Sequence, residues 1–237
     1  MQTELKVMSA RAVKSAVSAI AAAFSGESGC KVAFDFAPVG TLEGRLAAGE
    51  TADVVILSEQ AIGKLAASGR VVAGSARALG RMSIGVCARE GAAKPDISTP
   101  ESFRALLVAA RAISVSDPSI GGTSAVYLPK LFERLGLTAA LEPRLRRQKG
   151  GGGDVAECVA RGEAEIGITF ISEMLPIKGV IVLGPLPAAY GNDTTYSAAQ
   201  LGGGTSTDEA RAFIDKLIAA GGRGAWIAAG FSPPGAS

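Results

Sequence analysis

Short apolar, β-branched runs alternate along this chain with stretches whose apolar residues recur at helical spacing, and that alternation predicts βαβ units. The runs predict strands at Leu5–Met8, Val32–Phe36, Asp53–Leu57, Ser83–Cys87, Ala112–Ser116, Glu165–Thr169, Val180–Leu183 and Thr194–Leu201. Helices are expected between them at Arg11–Ser25, Thr41–Ala48, Glu59–Ser68, Pro100–Ala110, Thr123–Leu135 and Val155–Arg161, followed by Thr207–Ala219 and Arg223–Ala229. Punctuation supports the edges. Thr99 is a fitting N-cap with Pro100 at the first helical position, and Gly69, Gly136 and Gly162 follow helical stretches as stops. Strands and helices in this order imply an α/β fold, with mostly parallel sheets flanked by helices.

The first helical stretch, Val13 to Phe24, is apolar enough to imitate the core of an export signal. Val13, Val17, Ile20 and Phe24 nevertheless recur on one face, with Lys14, Ser15 and Ser18 on others, so an amphipathic helix is the expectation. Met1 to Lys6 pass straight into a strand-like run without a basic leader or cleavage site, so the chain as written is expected to be cytoplasmic, or periplasmic if a leader has been trimmed. No run of about 20 apolar residues predicts a membrane span.

Composition then narrows the chemistry. With 48% hydrophobic and 19% charged residues over 237 positions, the chain can build a packed core and is not a disordered polymer. Its net charge of +2 gives no footprint for nucleic acid. Only Arg144, Arg146, Arg147 and Lys149 cluster, and their alternation around Leu145 reads as an exposed strand edge or loop. Histidine is absent, which removes the commonest general base, the Ser–His and Cys–His nucleophile pairs and the commonest transition-metal ligand. Cys30, Cys87 and Cys158 have no metal or redox spacing. Cys87 and Cys158 read as core thiols, and an odd number of cysteines argues mildly against an oxidising compartment. No metal or cofactor is expected.

In open α/β sheets, ligands bind beyond the carboxyl ends of strands, where helices start with unpaired amides and a positive dipole end. The loops to read are therefore Ser9, Ala10 and Arg11 with Ala12 after the first strand, Pro38, Val39, Gly40 and Thr41 after the second, and Ser58 after the third. After the strand ending at Ser116 comes Asp117-Pro118-Ser119-Ile120-Gly121-Gly122-Thr123-Ser124, the richest candidate anion cradle, although Ser and Thr are common at ordinary helix starts too. Gly150, Gly151, Gly152 and Gly153 before Asp154 are either a surface loop or a place where a ligand meets bare backbone. Arg11 either grips a carboxylate or is a solvated residue at a helix start. Tyr190, Asn192, Thr194 and Tyr196 form a polar group that could bond a solute or simply line a hinge strand.

Several stretches together carry a family likeness: the opening strand and helix from Leu5, the run TLEGRLAAGETADVVI from Thr41 to Ile56, Ser116-Asp117-Pro118 before a helix ending near Leu135-Gly136, ARGEAEIGITF from Ala160 to Phe170, and the helix from Ala225 to Phe231. In these the chain resembles, as a divergent member, the molybdate/tungstate-binding protein family of ABC transporters, which has the type II periplasmic solute-binding fold. The resemblance implies two lobes, residues 1–82 with 196–237 and residues 83–195, joined by two crossing strands. It also implies a monomer that closes over a small anion in the interlobe cleft and an ABC permease as partner.

That family holds its oxyanion with a serine at the start of the first helix and another after the second strand. The matching positions here are Ala12 and Val39, with Pro38 in place of a small polar residue, and the family's tyrosine corresponds to Phe170. Each lost donor would cost a buried dianion about 1–3 kcal/mol, so a small organic carboxylate is expected as readily as an inorganic oxyanion. Ser9 and Arg11 stand near enough in sequence to compensate. Two other readings stay open. One is a cytosolic enzyme on the same fold, an isomerase or lyase of an organic acid with Asp154 or Glu173 as base. The other is a ligand-sensing module.

Overall fold

The computed structural model describes residues 3–204 and 207–234, so Met1 and Gln2 of the opening segment lie outside the described residues. The chain divides into two compact units, Met1–Met82 with Thr194–Ser237, and Ser83–Asp193.

The first unit opens with β1 (Glu4–Ala10), a single 3-10 turn at Arg11–Val13, α1 (Lys14–Ser28), β2 (Lys31–Ala37), α2 (Val39–Ala47), β3 (Val54–Ser58), α3 (Glu59–Ala67) and β4 (Arg77–Met82). The second unit holds β5 (Ile84–Arg89), α4 (Pro100–Ala109), β6 (Ile113–Ser116), α5 (Thr123–Arg134), α6 (Thr138–Leu141), β7 (Leu145–Gln148), α7 (Gly152–Ala160), β8 (Ile166–Phe170), α8 (Ile171–Met174) and β9 (Val180–Pro185). The chain then returns to the first unit through β10 (Thr194–Gln200), α9 (Thr207–Ile218) and α10 (Arg223–Ala228).

Each unit is built on one five-stranded sheet, ordered β2-β1-β3-β10-β4 in the first and β7-β6-β8-β5-β9 in the second. The two arrangements match except that the fourth strand is the last of its unit in sequence in the first sheet and the first of its unit in the second. In each, a central strand lies between two parallel partners, and the fourth position is a reversed strand. Those reversed strands, β5 and β10, are the first that the chain forms after each passage between units. β4 and β10 are antiparallel neighbours with Met82 opposite Thr194.

Local chemistry explains the edges. α4 starts with a capping box, Thr99 and Ser102 bonding each other's backbone amides, and Pro100 sits where no amide partner is needed. α2 starts at Val39, two residues before the expected Thr41, because Pro38 already holds an entry conformation with φ −57°. α7 starts at Gly152 rather than Val155, so the last two glycines of the run are helical. The helix expected from Arg11 begins as the 3-10 turn and becomes α-helical only at Lys14.

Two strands escaped the hydrophobic pattern. β4, RALGRM, and β7, LRRQ, are edge strands, and edges carry charge rather than alternation. The cores lie under the helices: Phe24 of α1 meets Phe213 of α9 with ring centroids 5.3 Å apart. In the second unit Ala156, Cys158 and Val159 of α7 pack with Cys87 and Met174. Cys87 and Cys158 are thus core thiols as expected, and Cys30 is also buried.

Candidate functional site

In the first unit β1 runs between β2 and β3, all three parallel, with Ala10 beside Ala37 and Ser9 beside Ile56. Their carboxyl ends therefore share one edge, and Ser9–Arg11, Pro38–Thr41 and Ser58 all stand on it. Ser9 is fully buried and donates to the Ala10 carbonyl at 3.3 Å. Ala12 and Val39 are buried too, 7% and 8% exposed, so the edge carries apolar groups at the two positions where the resembling family has serines. Ser58 accepts from the Ala61 amide at 3.4 Å and so caps α3. Gly40 and Arg11 are half-buried, and Thr41 is exposed in the first turn of α2.

The second unit repeats the arrangement with β6 between β7 and β8, Ser116 beside Gln148 and Val115 beside Ile168. The Asp117 amide donates to the Gln148 carbonyl at 2.9 Å and fastens the first loop to the second. The Asp117 carboxylate accepts from the Ser119 amide at 2.9 Å. The Ser119 hydroxyl and amide, with smaller help from the charges of Lys149 and Arg147, hold the Asp117 carboxyl below its ordinary range. Gly121 takes φ +66°, a left-handed turn, and Gly122 leads into α5, placing Thr123 and buried Ser124 in its first turn.

A line of polar groups continues from there. Ser124 Oγ lies 3.5 Å from Thr169 Oγ1, and Thr169, fully buried in β8, donates to Glu173 Oε2 at 3.0 Å. A Cβ at Gly152 would overlap both the Glu173 carboxylate and the Thr169 hydroxyl, and one at Gly150 would overlap the Asp154 carboxylate. At Gly150 and Gly152 the chain's own carboxylates approach the backbone. Gly151, at φ 105° and ψ −163°, occupies a region that essentially only glycine adopts. Phe170 is 3% exposed at the end of β8. Ser172 Oγ, in the turn that carries Glu173, is buried without a hydrogen-bond partner.

The helix starts differ in a telling way. α3 and α4 are capped by Ser58 and Thr99, whereas α2, α5 and α7 begin after Pro38, Gly122 and Gly151 with no side-chain cap. Uncapped starts leave amides whose partner must come from elsewhere. Sequence reasoning missed Thr169, a single hydroxyl inside an apolar run. The polar group at the return crossing is not one cluster. Tyr190 belongs to the second unit, where Tyr127 bonds its carbonyl at 2.9 Å and Arg134 lies over its ring. Tyr196 is core in the first unit, against Phe231. The basic run is also committed internally, with Arg147 on Glu142 and Arg144 on the Val108, Ala110 and Ala140 carbonyls.

Among the described residues, no helix is long and apolar enough to cross a membrane, and no group of three or more His, Cys, Asp or Glu could hold a metal ion. The sequence profile of the family described as "Bacterial extracellular solute-binding protein" matches residues 5–232. An aconitate isomerase from Pseudomonas sp is 33% identical over 221 residues, spanning 91% of this chain and 82% of that protein. The molybdate-binding protein ModA of Escherichia coli K12 is 28% identical over 218 residues, 90% of this chain and 83% of that one. The solved structure of the Azotobacter vinelandii periplasmic molybdate-binding protein superposes with a TM-score of 0.79 at 20% identity, covering 97% of this chain and 99% of that chain.

Proposed function

We propose, starting from the fact that this chain belongs to the bacterial extracellular solute-binding protein family, that its solute is a small organic anion bearing carboxylates. In this reading each unit offers contacts of its own at the carboxyl edge of its sheet, the start of α2 and the Arg11 guanidinium in the first and the starts of α5 and α7 in the second. One observation carries it. Ala12, Val39 and Phe170 are buried and apolar at the positions that match two serines and a tyrosine of the resembling family. Carboxylates on a carbon frame suit such a lining, because charge concentrates at their ends while the frame tolerates apolar walls. The 33% identity to an aconitate isomerase supports the same class, and aconitate is the first carboxylate to try. Delivery of the ligand to an ABC permease belongs to the same reading.

The test is a thermal-shift panel of molybdate, tungstate, sulfate and small mono-, di- and tricarboxylates. A ligand at 100 times its dissociation constant adds about 2.7 kcal/mol of stability, which is readily measured. The expected result is a shift with one or more carboxylates and none with molybdate. A large shift with molybdate alone would overturn the reading.

A further inference from the structure

Glu173 stands beside the start of α7. It lies in α8 just past β8, takes the Thr169 hydroxyl at 3.0 Å, and presses on Gly152 at the uncapped start of α7 so closely that no side chain fits there. Three residues near it are distinctive. Gly152 is kept bare, Thr169 is buried with its hydroxyl turned to the carboxylate, and Ser172 in the same turn holds a buried hydroxyl without a partner. The line Ser124–Thr169–Glu173 also joins the starts of α5 and α7, two of the helices that begin without a side-chain cap. In a chain without histidine, a carboxylate fixed in this way is the group suited to taking and returning a proton.

We propose that Glu173 is a catalytic acid–base residue that shifts a proton within the bound carboxylate, and that Thr169 positions it; this rests on the reading that the ligand is an organic carboxylate. The step is a 1,3-proton shift. Ionised Glu173 takes a proton from a saturated carbon lying between a double bond and a carboxylate, and the C–H electron pair forms a new double bond to the adjacent carbon. The pair of the old double bond takes the proton back from Glu173 at its far carbon. No oxidant, reductant or co-reactant enters, and the carboxylate is regenerated. Amides at the helix starts hold the substrate's carboxylate as charge spreads into it.

The experiment incubates the full chain with aconitate in D2O and follows the small molecule by proton NMR, with calorimetry measuring binding. The wild type is expected to move the double bond and to incorporate deuterium. Glu173→Gln should bind at least as tightly yet lose 100-fold or more of the rate, and Glu173→Asp should recover part of it. Thr169→Val removes a hydrogen bond that favours the ionised carboxylate, so the acidic limb of its pH–rate profile should move to higher pH. A purely structural role for Thr169 would leave that limb in place. Aconitate bound by the wild type without isomerisation or exchange would overturn the acid–base role and leave the carboxylate reading standing, as would wild-type turnover by Glu173→Gln. Failure of every carboxylate to bind would overturn both.

Discussion

Ser83 Oγ donates to Asp193 Oδ1 at 2.6 Å, and these two residues are the first and last of the inserted unit. A bond 110 residues apart in sequence thus pins together the two points where the chain enters and leaves that unit. Removing either partner, as Ser83→Ala or Asp193→Ala, should lower the melting temperature, and a double-mutant cycle should give a coupling of about 1 kcal/mol. Additive losses in the cycle would mean that the bond contributes nothing to stability.

Three of the four glycines should respond differently to alanine. Gly152→Ala drives a methyl into Glu173 and Thr169 and should cost about 1–3 kcal/mol, less in a Glu173→Ala background, where the space opens. Gly151→Ala should cost about 1–3 kcal/mol for backbone strain alone. Gly153 meets nothing within 4 Å and lies in α7, so Gly153→Ala should stabilise by about 0.4–1 kcal/mol. Urea unfolding of the three single variants checks the order.

Burial pushes the Cys87 thiol up to about 11, against smaller opposing bonds from the Gly167 and Cys87 amides. A thiol raised in the folded state favours folding below its unfolded value, near 9, and loses that contribution as pH climbs to about 11. Stability should therefore decline over that alkaline window by on the order of 2 kcal/mol from this group, and Cys87→Ala should flatten the decline. At pH 8 a thiol reagent should label Cys87 only as fast as the protein unfolds.

Restoring hydroxyls should change the anion preference. The triple variant Ala12→Ser, Val39→Ser, Phe170→Tyr should gain a thermal shift with molybdate and weaken for carboxylates. Each recovered donor is worth about 1–3 kcal/mol if it reaches the ligand. Unchanged responses to both classes would mean that these side chains do not line the binding loops.

The sequence made the buried strands legible because apolar runs such as Val54–Leu57 and Ile166–Ile168 have few alternatives to a sheet interior. β4 was not legible, since Arg77 and Arg81 suit an edge and break the pattern, whereas the alternation of Arg144, Arg146 and Arg147 around Leu145 left β7 open as an exposed strand edge or a loop. α6 and α8, of four residues each, are too short to carry a helical period. The matching sheet arrangement of the two units left no trace as a sequence repeat, because arrangement depends on pairing and not on residue spacing. Around the candidate site, spacing pointed to the loops but not to their contents. Thr169 and Glu173 are four apart across a strand-to-helix joint, where neither helical nor strand periodicity applies.

Met82 facing Thr194 across an antiparallel pair has a consequence for how the chain assembles. Topologically β4 and β10 are the two arms of a hairpin, and residues 83–193 are its turn. An unstructured loop of that length would make closure entropically slow, but a folded one delivers both arms to the same place. The inserted unit therefore has to mature early for the first sheet to zip up, so lesions in the Ser83–Asp193 segment should surface as retarded formation of a sheet to which none of its residues belongs.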